Sequence, residues 1–130
     1  TVQDQTNALW VGTQSGLFRF DAKDSSYRHP KEYFSTIFNN TMVGTLKSDS
    51  RGTLWIGTNG GGLNKMDTNT DKFVVYQNGP GNTVSLSNNS VLSIYEDKSG
   101  KMWIGTEIGL NRMIISSAEK GKKEEIIFSK

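Results

Sequence analysis

The chain has 130 residues, an apolar fraction of 34%, 14 glycines, no cysteine and a net charge of +2. Interspersed acids and bases leave no field to recruit nucleic acid, the missing cysteine excludes disulfides and thiolate chemistry, and no apolar run reaches the roughly 18 residues of a membrane helix. Many glycines with few apolar residues suit short strands and tight turns better than packed helices.

Strands are expected in three successive groups. The first opens on a strand cut down to Thr1, Val2 and Gln3, then runs through ALWVGT at 8–13, GLFRF at 16–20 and a looser strand near 25–29. The second reads VGTLKSD at 43–49, TLWIGT at 53–58, GGLNKM at 61–66 and FVVYQ at 73–77. The third reads VLSIYED at 91–97, KMWIGT at 101–106, GLNRM at 109–113 and IIFS at 126–129. Trp10 and Trp55 are 45 positions apart, and Trp55 and Trp103 are 48. A period of this size marks a repeat architecture in which one supersecondary unit recurs.

Each unit carries an aspartate six residues before its tryptophan (Asp4, Asp49, Asp97) and Asn7, Gly52 or Gly100 three residues before it. Asparagine and glycine are the residues that best tolerate a left-handed backbone, so this position is expected at positive φ. The aspartate is placed to accept hydrogen bonds from the turn's amides, which makes the segment a β-hairpin with a bulge. LWI and MWI do not alternate, so the second strand is expected to be buried on both faces. The tryptophans Trp10, Trp55 and Trp103 are read as packing between units, and Gly12, Gly57 and Gly105 as sites of close backbone approach.

Four short antiparallel strands per unit, with an inner strand buried on both sides, describe one blade of a β-propeller. The predicted fold is all-β: a propeller segment of about three four-stranded blades, at 1–42, 43–90 and 91–130. Three blades fall short of a closed ring, so either a fragment of a larger propeller or an assembly of several copies is expected, and the fragment is favoured.

TLWIGTNGGGLNKMD at 53–67, VLSIYEDKSGKMWIGTEIGLNRM at 91–113 and the spacer SLSNNSV at 85–91 resemble the two-component regulator propeller repeat. The resemblance implies the extracytoplasmic, periplasmic sensor half of a hybrid histidine kinase anchored in the inner membrane. It implies that oligosaccharides are the sensed ligands and that phosphotransfer belongs to the longer parent, with no enzyme activity in this segment. No cofactor or metal is implied, contact with the membrane comes only through the rest of the parent, and exposed blade edges favour self-association. A propeller scaffold for another protein, or part of a propeller lyase or hydrolase, are the other readings.

Catalytic signals are sparse. His29 is the single histidine and lies in a Tyr-Arg-His-Pro stretch that reads as surface loop. Asp67, Asn69 and Asp71 begin like a calcium loop, but Lys72 and Asn78 occupy the places that need glycine and a bidentate acid. Lys120, Lys122 and Lys123 sit beside Glu119, Glu124 and Glu125 and read as a solvated loop. A ligand is expected at one rim, on residues that differ between copies. The segments are Ser35–Met42, Asn78–Ser90, Gln14–Ser15, Asn59–Gly61 and Glu107–Ile108, with Asn59, Asn78, Asn82, Asn88 and Asn89 as candidate contacts.

Overall fold

The computed structural model describes residues 1–28, 42–70, 72–116 and 125–130. His29, the rim segment up to Thr41, Asp71 and the Lys120–Lys122–Lys123 cluster lie outside the described residues. The described residues form twelve strands and no helix.

The first sheet holds β1 (Val2–Gln3), β2 (Leu9–Thr13), β3 (Gly16–Asp21) and β4 (Ser26–Arg28). The second holds β5 (Val43–Ser48), β6 (Leu54–Thr58), β7 (Leu63–Asp67) and β8 (Lys72–Tyr76). The third holds β9 (Val91–Glu96), β10 (Met102–Thr106), β11 (Gly109–Ser116) and β12 (Glu125–Ser129). Each is an antiparallel meander whose strands pair in chain order. The inner strands approach one another: β5 packs on β1 and β2, and β9 packs on β5 and β6. This is the blade arrangement of a β-propeller.

Two apolar layers join the sheets. Trp10 and Leu17 of the first sheet meet Val43, Leu54, Ile56 and Met66 of the second. Trp55 and Leu63 of the second meet Val91, Met102, Ile104, Met113 and Phe128 of the third, with Leu86 from the connecting segment added. Side chains alternate across a strand, so each blade turns its tryptophan toward the next blade and the flanking Leu/Ile/Met positions toward the previous one. Gly12 and Gly57 make the close approach possible: a Cβ on either would run into Val43 or Val91 of the following blade's inner strand.

Burial of the second strand on both faces holds in the middle blade, where all five residues of β6 are buried. It fails in part for β2 and β10, which have a neighbouring sheet on one side only among the described residues. Trp10 and Trp55 are fully buried, whereas Trp103 is only partly covered. Trp103 stands on the outer face of the third sheet, in an open cleft with Leu110 and Arg112. The tryptophan expected between blades has one blade beside it there, not two.

Candidate functional site

The hairpin between the first and second strands of each blade has the same construction three times. Asn7, Gly52 and Gly100 have φ of 64°, 83° and 82°. In the middle blade, Gly52 N donates to Asp49 O (3.0 Å) and Asp49 N donates to Thr53 O (2.9 Å), the form of a turn closed by one left-handed bulge residue. The aspartate then does two jobs. Asp49 Oδ1 accepts from the amides of Arg51 (3.0 Å) and Thr53 (2.9 Å), while Oδ2 accepts from Trp55 Nε1 (2.8 Å). Asp4 and Asp97 do the same, accepting from Trp10 Nε1 at 2.7 Å and Trp103 Nε1 at 3.0 Å. The indole bond was not expected from sequence, yet its signal was present in the fixed spacing of six residues.

These bonds favour the ionised carboxylate. Burial opposes ionisation of Asp4, but the Thr6 hydroxyl, the Trp10 indole and the Thr6 and Ala8 amides outweigh it and hold its pKa below the ordinary value. Asp97 is held far below that value by the Ser99 hydroxyl first and the Trp103 indole second. A cation lies over two of the rings: Arg19 sits 5.6 Å from the Trp10 centroid and Lys65 sits 5.9 Å from that of Trp55. The aspartate, the turn amides it accepts from and the indole all bond within their own blade, so these positions build the scaffold.

The opposite rim differs between copies. The threonine that ends each WIGT-type phrase closes the next turn, with Thr58 Oγ1 donating to Gly62 O (2.8 Å) and Thr106 Oγ1 to Gly109 O (3.0 Å). The residue after it is Gln14, Asn59 or Glu107. Asn59 and Glu107 meet across a crevice of about 210 Å³ between the second and third blades, together with Met42 and Ser90. Two β-bulges complete it. The pairing of β5 slips between Val43 and Thr45, and that of β9 between Val91 and Ser93, leaving Gly44 and Leu92 unpaired. Both unpaired residues line the crevice, and Leu92 is 61% exposed. Bulges commonly re-aim side chains in this way beside functional sites.

The crevice is polar on one wall and apolar on the other. Ser90 Oγ donates to Asn59 Oδ1 at 3.0 Å, which fixes the amide and leaves its Nδ2 donor unengaged among the described residues. Glu107 is held through its backbone, its N donating to Ser90 O at 3.1 Å, and its carboxylate is unengaged among the described residues. A free amide donor and a free carboxylate acceptor thus face the same space. Glu107 is the only carboxylate in the lining, so paired acid–base chemistry has no second member there.

The remaining asparagines serve the connection between β8 and β9. Asn78 Nδ2 donates to Leu86 O (2.6 Å), and Asn89 Oδ1 accepts from Asn78 N (2.7 Å). Asn82 Oδ1 accepts from Val84 N and Asn88 Oδ1 from Ser90 N. Asn111, buried in β11, clamps the same connection: its Oδ1 accepts from Ser87 N (3.0 Å) and its Nδ2 donates to Ser87 Oγ (2.8 Å). Of the five candidate asparagines, Asn59 lines this crevice, and Glu107, Met42 and Ser90 join it there from three other expected rim segments.

Residues 36–60 and 85–107 match the two component regulator propeller family. The chain is 29% identical over 119 residues to histidine kinase P4 of Formosa agariphila, covering 89% of the chain and 9% of that relative. It is similar to the extracellular domain assigned to the hybrid two component system BT4673 of B. thetaiotaomicron, with a TM-score of 0.74, 25% identity, and coverage of 91% of this chain and 15% of that one. A similar domain assigned to the system BT3049 of the same bacterium aligns with a TM-score of 0.67 and 25% identity, over 87% of this chain and 15% of that one. The chain therefore spans a small part of the relatives it matches. It resembles the two component regulator propeller family by sequence in two of its three blades, and its fold is that of a β-propeller segment.

Proposed function

We propose that this segment belongs to the extracytoplasmic sensing propeller of a hybrid two component system, and that the crevice at Asn59 and Glu107 contacts an oligosaccharide. The relatives supply the sensor context, since both similar solved domains are extracellular parts of such systems. The crevice supplies the ligand chemistry. A carboxylate accepts from a sugar hydroxyl, an amide N–H donates to the neighbouring one, and an exposed leucine lies against the C–H face of the ring. The observation that carries the reading is the meeting of Asn59 and Glu107 on bulged inner strands at the position that varies between repeats. Occupancy would favour one spacing of the second and third blades, and a longer parent, periplasmic and anchored in the inner membrane, would relay that bias to its kinase.

Isothermal titration of the chain with neutral gluco-, xylo- and manno-oligosaccharides tests this. Saturable binding to one class, weakened at least tenfold by Glu107→Ala and by Asn59→Ala, is the expected result. Absence of binding across the panel, or binding that both variants retain, overturns the ligand assignment and favours a protein partner.

A further inference from the structure

The opposite rim holds a second opening that the sensing crevice does not use. It lies between the turns 49–53 and 97–101, has a volume of about 530 Å³, and falls in the range of small-molecule pockets, roughly 300–1,000 Å³. Its inner wall is apolar, made by Met102, Met113, Ile114 and Ile115. Arg51 and Lys101 stand at the mouth on the two turns, both exposed and neither paired with a carboxylate among the described residues. The nearby Glu96 is already engaged, accepting from both the amide (3.1 Å) and the hydroxyl (3.2 Å) of Ser50.

The repeat provides an internal control. The equivalent groove between the first and second blades is smaller, about 260 Å³, and polar. Aligning the repeats on their tryptophans puts Thr6 at the place of Arg51 and Thr53 at that of Lys101, and the strand pairing puts Asp67 at that of Ile114. Arg51 lines both grooves, and the first also holds Lys65 beside Asp67; what is particular to the second groove is Lys101 together with an apolar wall and no carboxylate in the lining.

We infer that the groove between the second and third blades binds a small amphipathic anion, an organic carboxylate with an apolar body. The body would lie on Met102 and Met113, and the carboxylate would meet Arg51 and Lys101 in charge-assisted hydrogen bonds. An apolar cavity with a few placed polar groups is the usual form of a small-ligand site.

The chain's four methionines make the test site-specific. Met42 lines the sensing crevice, Met66 the polar groove, and Met102 and Met113 the basic one. The intact chain, labelled with 13C at the methionine methyls, would be titrated with phenylacetate and with its uncharged isostere phenylacetamide, and each signal assigned from a Met→Leu variant. Phenylacetate is expected to shift Met102 and Met113 saturably while Met42 and Met66 stay in place. Phenylacetamide, and phenylacetate on the Arg51→Gln/Lys101→Gln variant, are expected to bind about tenfold more weakly, which is one step of 1.4 kcal/mol. Both substituted side chains are exposed, and an unmoved Met42 signal with an unchanged far-UV circular dichroism spectrum reports that the variant is folded. No saturable shift at Met102 and Met113, equal binding of the amide, or unchanged affinity in the double variant overturns the inference.

Discussion

Replacing Asp49 with alanine isolates the indole bond at the heart of the repeat. Trp55 is fully buried, so the substitution leaves its Nε1–H without an acceptor and without water. An orphaned buried donor costs about 1–3 kcal/mol. The Arg51 and Thr53 amides also lose their acceptor, but they lie in a turn that solvent reaches, so each adds roughly 0.5 kcal/mol, the low end for a net hydrogen bond. The total is about 2–4 kcal/mol, a large share of the roughly 5–15 kcal/mol that holds a domain. In urea, with a slope of about 2 kcal/mol per molar, the midpoint falls by about 1–2 M. Asp97→Ala removes the equivalent contacts and one more, from the Ser99 hydroxyl (2.6 Å), yet Ser99 and Lys101 are exposed, Trp103 is partly exposed, and water can replace the lost acceptor. Its effect is therefore smaller. Far-UV circular dichroism of both variants, with Trp55→Phe and the Asp49→Ala/Trp55→Phe double variant, gives the comparison and the coupling energy. Equal losses for Asp49→Ala and Asp97→Ala, or a coupling near zero, would refute the reasoning.

Acid should destabilise the fold through the same carboxylates. The pKa values of Asp4 and Asp97 are depressed in the folded state, so their stabilisation is fully present above the ordinary value of 3.8 and is lost as pH falls below it; a urea midpoint unchanged between pH 5 and pH 3 would contradict this. Gly57→Ala places a methyl group against the side chains of Thr45 and Val91, the nearest Val91 atom at 2.7 Å, and should cost about 1–3 kcal/mol by overpacking; a variant as stable as the parent would show that the inner strands can part freely. Asn64 and Asn111 occupy equivalent buried places, but neither amide atom of Asn64 has a partner among the described residues, whereas Asn111 holds Ser87. Asn111→Leu should therefore lower stability by about 2 kcal/mol and Asn64→Leu should leave it unchanged or raised, an order that thermal melts of the two variants can reverse or uphold.

Backbone architecture was legible because it depends on residues that must recur. Asn7 in place of Gly52 and Gly100 points to a left-handed turn, and the position of each WIGT-type phrase locates the second strand. The roles of the asparagines were less readable. Asn59 and Asn89 look alike in a polar loop, and only the folded chain separates an amide with a free donor from one whose oxygen braces a backbone amide. Leu92 could not be assigned to the crevice either. In an uninterrupted strand it would alternate with its neighbours, and the bulge that turns it outward is a property of the pairing between β9 and β10. The partial exposure of Trp103 depends on what lies beside its sheet, which the local sequence does not encode.

The two faces of every blade are unlike, and this has a consequence for symmetry. Leu17 and Leu63 are sealed against the next blade, while their counterpart Leu110 is 57% exposed on the outer side of the third sheet. At the other end Leu9, the counterpart of the sealed Leu54 and Met102, is 36% exposed. Within the chain a tryptophan face always meets a Leu/Ile/Met face, so copies that met as the blades do would join head to tail. A two-fold dimer is not available to such a contact. It closes only into a ring, where the rotation per unit divides a full circle, and otherwise continues as an open helix.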